Sequence, residues 1–129
     1  MADKLLEVKG VSKIFRVGGM LRGKKLVAVD NVSLSIDDDK PVILSIVGES
    51  GCGKSVTSLS LMQLVQRPSG QTVGGEIRFN TGDHVYNVVN TPTSVMQKLR
   101  GNYMSMIFQE PMTSLNPVLR IGEQVDEVI

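Results

Sequence analysis

The chain has 129 residues, of which 41% are hydrophobic and 21% charged, and its formal net charge is +1. That balance is ordinary for a soluble globular domain; there is no basic cluster of the kind that marks a nucleic-acid footprint, and no apolar run near the roughly 20 residues a membrane-spanning helix needs. The single cysteine, Cys52, excludes an intrachain disulfide or a cysteine cluster.

The opening Met1-Ala2-Asp3-Lys4-Leu5-Leu6-Glu7 sets acid beside base without a long apolar core. It does not read as a secretory signal or transit peptide, and a cytosolic chain is expected. Leu6-Glu7-Val8-Lys9, Lys13-Ile14-Phe15-Arg16-Val17 and Val32-Ser33-Leu34-Ser35-Ile36 alternate apolar and polar residues, which predicts strands with one face buried. Gly18-Gly19-Met20-Leu21-Arg22-Gly23-Lys24-Lys25 interrupts them as a glycine-rich basic loop. Leu26-Val27-Ala28-Val29-Asp30 has the form of an apolar strand ending in a metal-binding aspartate. It lacks a following glutamate, however, and runs straight into the Val32 strand, so Asp30 is read as a turn aspartate. Asp37-Asp38-Asp39-Lys40-Pro41 is a polar turn whose acidic run faces water.

Val42-Ile43-Leu44-Ser45-Ile46-Val47 is apolar and β-branched, the signature of a buried parallel strand. It leads into Gly48-Glu49-Ser50-Gly51-Cys52-Gly53-Lys54-Ser55, which fits G-x-x-x-x-G-K-[ST]. Glycines at 48, 51 and 53 open backbone conformations closed to residues with a Cβ, so successive N–H groups can form a concave anion site. Lys54 adds a mobile positive charge for the β/γ-phosphates, and the Ser55 hydroxyl suits Mg²⁺. From Lys54 to about Gln66, apolar residues at Val56, Leu59, Leu61, Met62, Leu64 and Val65 predict a helix packed on a sheet. The loop then sits at a helix N-terminus, where free N–H groups and the macrodipole favour phosphate. Gly48, Glu49, Ser50, Gly51, Cys52, Gly53, Lys54, Ser55 and Val56 are the candidate nucleotide-binding residues. Only the backbone of Cys52 is needed there, so no redox role is assigned to its thiol.

Arg67-Pro68-Ser69-Gly70 ends the helix. Gly75-Glu76-Ile77-Arg78-Phe79 and His84-Val85-Tyr86-Asn87-Val88 predict a hairpin, with the lone His84 in its polar turn at the surface. Ser94 to Arg100 is a short helix candidate. Tyr103-Met104-Ser105-Met106-Ile107-Phe108 reads as a second buried strand. Ile121 to Ile129 reads as a helix cut short, consistent with a truncated segment or gene product.

With the phosphate loop, an upstream aromatic and Phe108-Gln109-Glu110-Pro111 in order, the chain resembles the ATP-binding subunit of ABC transporters. The resemblance implies an α/β P-loop NTPase core of ABC ATPase type with an N-terminal antiparallel β subdomain. Residues 1–40 would form the antiparallel region, 41–66 the strand, phosphate loop and helix, 67–109 the hairpin, short helix and strand, and 110–129 the Q-loop and start of a helical region. It also implies that Phe15, where tyrosine is commoner, stacks on adenine, a geometry that a flat aromatic face supports. Gln109 would be the Q-loop glutamine, touching Mg²⁺ and the attacking water. Lys54 and Gln109 are thus the catalytic candidates, Ser55 and Gln109 the metal candidates, and ATP with Mg²⁺ the expected cofactors.

Phe108-Gln109-Glu110-Pro111-Met112-Thr113-Ser114-Leu115-Asn116-Pro117, with Val47-Gly48-Glu49-Ser50-Gly51 and Ile121-Gly122-Glu123-Gln124-Val125, looks like the importer branch for oligopeptides, dipeptides or nickel chelates. Implied partners are a second ATP-binding subunit, transmembrane permease subunits and, indirectly, a solute-binding protein, at the cytoplasmic face of the membrane and without nucleic acid. The family's signature segment, its acid-ended strand with catalytic glutamate and its switch histidine do not occur up to Ile129. The expected behaviour of the segment alone is therefore nucleotide binding with little hydrolysis, since phosphoryl transfer needs a positioned metal, water and charge donors. The other readings are a catalytically inactive nucleotide-binding or interaction fragment, or another P-loop kinase or NTPase. A GTPase is disfavoured because no N-K-x-D segment is present.

Overall fold

The computed structural model describes residues 3–18, 23–65, 70–108 and 115–127. Its largest element is a four-stranded antiparallel sheet built from β1 (Lys4–Val17), β2 (Lys24–Asp37), β3 (Gly70–Asn80) and β4 (Val85–Asn87), in the order β2-β1-β3-β4. The alternating segments at 6–9 and 13–17 are one long strand, β1, paired with β2 on one edge and β3 on the other. The antiparallel subdomain expected from the sequence is present, and the β3–β4 hairpin with it.

The long strands bend where their registers slip. Gly10 on β1 and Asn31 on β2 both have positive φ, 54° and 48°, and Gly75 on β3 has 81°. An ideal Cβ on Gly75 would lie 2.4 Å from the carbonyl oxygens of Lys9 and Gly10, so only glycine lets β3 approach β1 there. A bulge removes ladder partners, and two serines replace them. Ser33 Oγ accepts from the Gly10 N–H at 2.8 Å, and Ser12 Oγ accepts from the Asn31 N–H at 2.9 Å. Asp30 and Asn31 therefore belong to a bulge inside β2, which corrects the turn expected at Asp30. Asparagine suits that bulge because its short polar side chain tolerates left-handed backbone.

One sheet face carries Val8, Val11, Ile77 and Phe79, and α2 (Thr93–Leu99) covers it with Met96 and Leu99, joined by Val88. Ile77, Val88 and Met96 are the largest fully buried side chains. The hairpin turn closes through Thr81 N–H to the His84 carbonyl at 3.0 Å, and through Gly82 N–H to Asn80 Oδ1 at 2.8 Å. His84 is exposed and meets Tyr86 edge to face at 4.6 Å, as a surface histidine.

Helix α1 (Lys54–Leu61) is shorter than the span to Gln66 expected for it. It ends in a Schellman arrangement. Gln63 takes φ of 54°, its N–H reaches the Ser60 carbonyl at 3.1 Å, and the Leu64 N–H reaches the Leu59 carbonyl at 2.8 Å. Near the end of the chain α3 (Ile121–Asp126) forms where a helix was expected. The Gln124 amide holds it to the preceding turn, donating to the carbonyls of Asn116 and Leu119 at 3.0 Å each.

Two expected strands are absent. Residues 42–47 and 103–108 carry no ladder beyond a single bridge between Arg100 and Met104. Ile43 is 95% exposed and Ile107 98%. A parallel strand gains its stability from neighbours on both edges and cover on both faces. An isolated pair is marginal in water, and no described strand flanks either run.

Candidate functional site

The glycine loop lies between the 42–47 run and α1. Gly51 and Gly53 adopt φ of 78° and 94°, so the glycines at these positions answer a real backbone demand. Gly48 is crowded from another side: an ideal Cβ there would stand 2.5 Å from Cys52 Sγ, so the thiol would have to move aside. The Cys52 N–H closes the turn onto the Glu49 carbonyl at 3.3 Å.

Gly53 is the N-cap of α1, and no side chain caps that end of the helix. The N–H groups of the first turn are therefore left for another acceptor. Lys54, the first helical residue, folds its ammonium back over the loop, donating to the carbonyls of Gly48 at 2.5 Å and Glu49 at 2.6 Å. The same nitrogen lies 3.4 Å from Cys52 Sγ.

The hydroxyls of α1 divide into two sets. Thr57, Ser58 and Ser60 donate to the carbonyls of Gly53, Lys54 and Val56 at 2.9, 3.2 and 2.6 Å. These back-bonds keep a helix rich in serine and threonine internally satisfied. Ser55 instead is exposed and lines the groove in front of the helix. A hard oxygen at that place fits the ligand preference of Mg²⁺.

That groove has a volume of about 730 Å³ and is bounded by Phe15, Leu26, Val27 and Ala28 from the sheet and by residues 50–56 from the loop and helix. Phe15, half-buried on β1, is paired with Leu26 and Gly70. An ideal Cβ on Gly70 would lie 2.8 Å from Phe15 Cε1, so the glycine leaves room for the ring. Of the residues selected from the sequence, Phe15 and Ser50, Gly51, Cys52, Gly53, Lys54, Ser55 and Val56 come together at this groove. Gly48 and Glu49 touch it through the Lys54 ammonium. Gln109 lies outside the described residues.

Two residues at the opposite end of α1 were not anticipated. The Arg100 guanidinium donates from Nε to the Met62 carbonyl at 2.9 Å and from Nη2 to the Gln63 carbonyl at 3.0 Å. The Gln63 amide donates to the carbonyls of Val88 and Thr91 at 2.9 and 2.8 Å. Nothing in a local window signals this clamp, because its partners are far apart in sequence.

Among the described residues no cluster of histidine, cysteine, aspartate or glutamate could hold a metal by itself, and no helix is long and apolar enough to cross a membrane.

Comparison with known proteins gives the same direction as the loop. The chain is 46% identical over 125 residues to the oligopeptide transport ATP-binding protein AppD of Bacillus subtilis, covering 97% of this chain and 35% of that protein. It is 43% identical over 125 residues to a putative peptide import ATP-binding protein of Brucella ovis, covering 95% and 35% respectively. It is 44% identical over 127 residues to the glutathione import ATP-binding protein GsiA of Pectobacterium atrosepticum, covering 98% and 19%. The chain thus spans about a third or less of the length of these relatives. The model of the ABC transporter family matches residues 29–128, and the chain belongs to that family.

Proposed function

We propose that the chain is the nucleotide-binding front part of the ATP-binding subunit of an importer for peptides or a related solute. One observation carries this reading: a flat aromatic, Phe15, and an uncapped helix N-terminus with its lysine border one groove. The groove's size lies within the range of ligand pockets, roughly 300–1,000 Å³. An adenine nucleotide has the matching halves, a π-face for Phe15 and phosphates for the loop.

In this reading residues 48–56 hold the triphosphate with backbone N–H groups, and Lys54 exchanges its loop carbonyls for phosphate oxygens. Ser55 and Gln109 hold Mg²⁺, and Gln109 orients water. Bound ATP supplies the phosphoanhydride bond whose cleavage drives the transport cycle. A second ATP-binding subunit, permease subunits and a solute-binding protein complete the machine at the cytoplasmic face of the membrane. Peptide import is favoured as the task because the relatives are named for peptide, oligopeptide and glutathione import.

In this reading the 129 residues alone bind nucleotide without efficient hydrolysis, since among the described residues no strand after the loop ends in an acid and His84 sits in the hairpin turn. Comparing ATP affinity with ATP turnover on the same sample tests this. Saturable binding with negligible turnover is expected. Turnover comparable with that of a complete transporter ATPase would overturn it.

A further inference from the structure

We propose that Arg100 is a positioning residue for the phosphate loop, acting through the far end of α1. The proposal rests on the nucleotide-binding reading above.

Helix α1 is weakly seated along its length. Ser60 is its one buried residue, and Val56, Leu59 and Leu61 are half-buried. Leu61 packs against the core cluster, and further contacts hold the helix at its two ends. At the N-terminus Gly53 backs onto the Ala28 carbonyl. At the C-terminus the Arg100 guanidinium takes the carbonyls of Met62 and Gln63, while the Gln63 amide ties the same turn to Val88 and Thr91.

These four bonds join α1 to the layer that contains the fully buried Val88 and Met96, members of the core cluster. Eight helical residues span about 12 Å, so a tilt at the clamp re-aims the first-turn N–H groups at the other end. The guanidinium also places positive charge at the helix C-terminus, where the macrodipole favours it. Gln63 holds a left-handed conformation that glycine would adopt more easily. Glutamine there sacrifices backbone ease for an amide that reaches two carbonyls.

The test measures binding of Mg-ATP and of inorganic tripolyphosphate calorimetrically, with stoichiometry, for the wild-type chain, Arg100→Met and Arg100→Lys, beside thermal melts. Methionine keeps an apolar stem and removes all donors. The expected result is that Arg100→Met weakens both ligands about fivefold at full stoichiometry, in the range of couplings carried through packed elements. Arg100→Lys, retaining the charge and a donor, recovers part of the loss. A merely structural arginine would lower the melting temperature and the binding-competent fraction while leaving both dissociation constants at the wild-type values; that outcome overturns the proposal.

Should Arg100→Met not fold, Gln63→Gly reads the same device, because glycine suits the backbone there and only the amide bonds are lost. Weakening of both ligands at full stoichiometry supports the clamp, and unchanged constants overturn it. A wild-type chain that binds neither ligand refutes the nucleotide reading and the clamp together. Wild-type binding with unaltered variants refutes the clamp alone.

Discussion

The carbonyl oxygen of Ala28 on β2 stands 2.4 Å from the position an ideal Cβ on Gly53 would take. The sheet edge is thus pressed against the backbone at the start of α1, and Gly53 also holds φ of 94°. Left-handed backbone costs an L-residue roughly 1–2 kcal/mol, before any displacement of β2. Gly53→Ala is expected to lower the melting temperature and to weaken Mg-ATP binding about tenfold or more, equivalent to about 1.4 kcal/mol. Fluorescence-monitored melting and a nucleotide titration check both effects.

Phe15 forms the other wall of the groove, so its removal separates base from phosphate recognition. Phe15→Ala is expected to weaken ATP by about 1–3 kcal/mol, the value of one base on an aromatic face. Tripolyphosphate binding should be unchanged, and Phe15→Tyr should retain ATP. Equal losses for ATP and tripolyphosphate would show that the ring supports the loop rather than a base.

How much could be read in advance depended on the range of the forces involved. The loop at 48–55 was legible because G-x-x-x-x-G-K-[ST] encodes backbone freedom and charge in consecutive residues. The hairpin from Gly75 to Val88 was legible from alternation and the Thr81-Gly82-Asp83 turn. The bulge joining Gly10, Asn31 and Gly75 was not, because its cause is contact between three strands distant in sequence. The end of α1 was missed because Gln63 fills a position where glycine is the usual signal. The apolar runs at 42–47 and 103–108 have the composition of buried parallel strands, but composition alone supplies no neighbouring strand; here the first is exposed throughout and the second exposed except at the half-buried Met104 and Met106. Gln109 lies beyond the described residues, so its role rests on the resemblance.

Glu7 lies between Lys9 at 2.9 Å and Lys4 at 3.0 Å. Hydrogen bonds from Lys9 and then Lys4 hold its carboxyl below the ordinary glutamate value. A lowered folded-state pKa stabilises the fold above the unfolded value, and the contribution disappears as pH falls from about 4.5 through the lowered value. NMR titration of the Glu7 carboxyl is expected to give a midpoint below that of a model glutamate. Lys9→Met should raise the midpoint, and more than Lys4→Met does.

Met96, on α2, is fully buried in the core cluster formed with the sheet. Met96→Ala removes its contacts and leaves a cavity, at a cost of roughly 2–5 kcal/mol. Chemical denaturation should register a loss in that range, while substitution by leucine should cost under about 1.5 kcal/mol.

The central claim is that the loop ending in Lys54 holds a triphosphate. Calorimetric titration of Mg-ATP into the wild-type chain and Lys54→Ala tests it most directly. Among the described residues the Lys54 ammonium is bonded only to loop atoms, so the variant should stay folded. The account predicts saturable one-site binding to the wild type and at least roughly tenfold weaker binding to the variant, the loss expected for a charge-assisted bond. Absence of saturable heat with folded wild-type protein, or equal affinity for ATP in the two proteins, would contradict it.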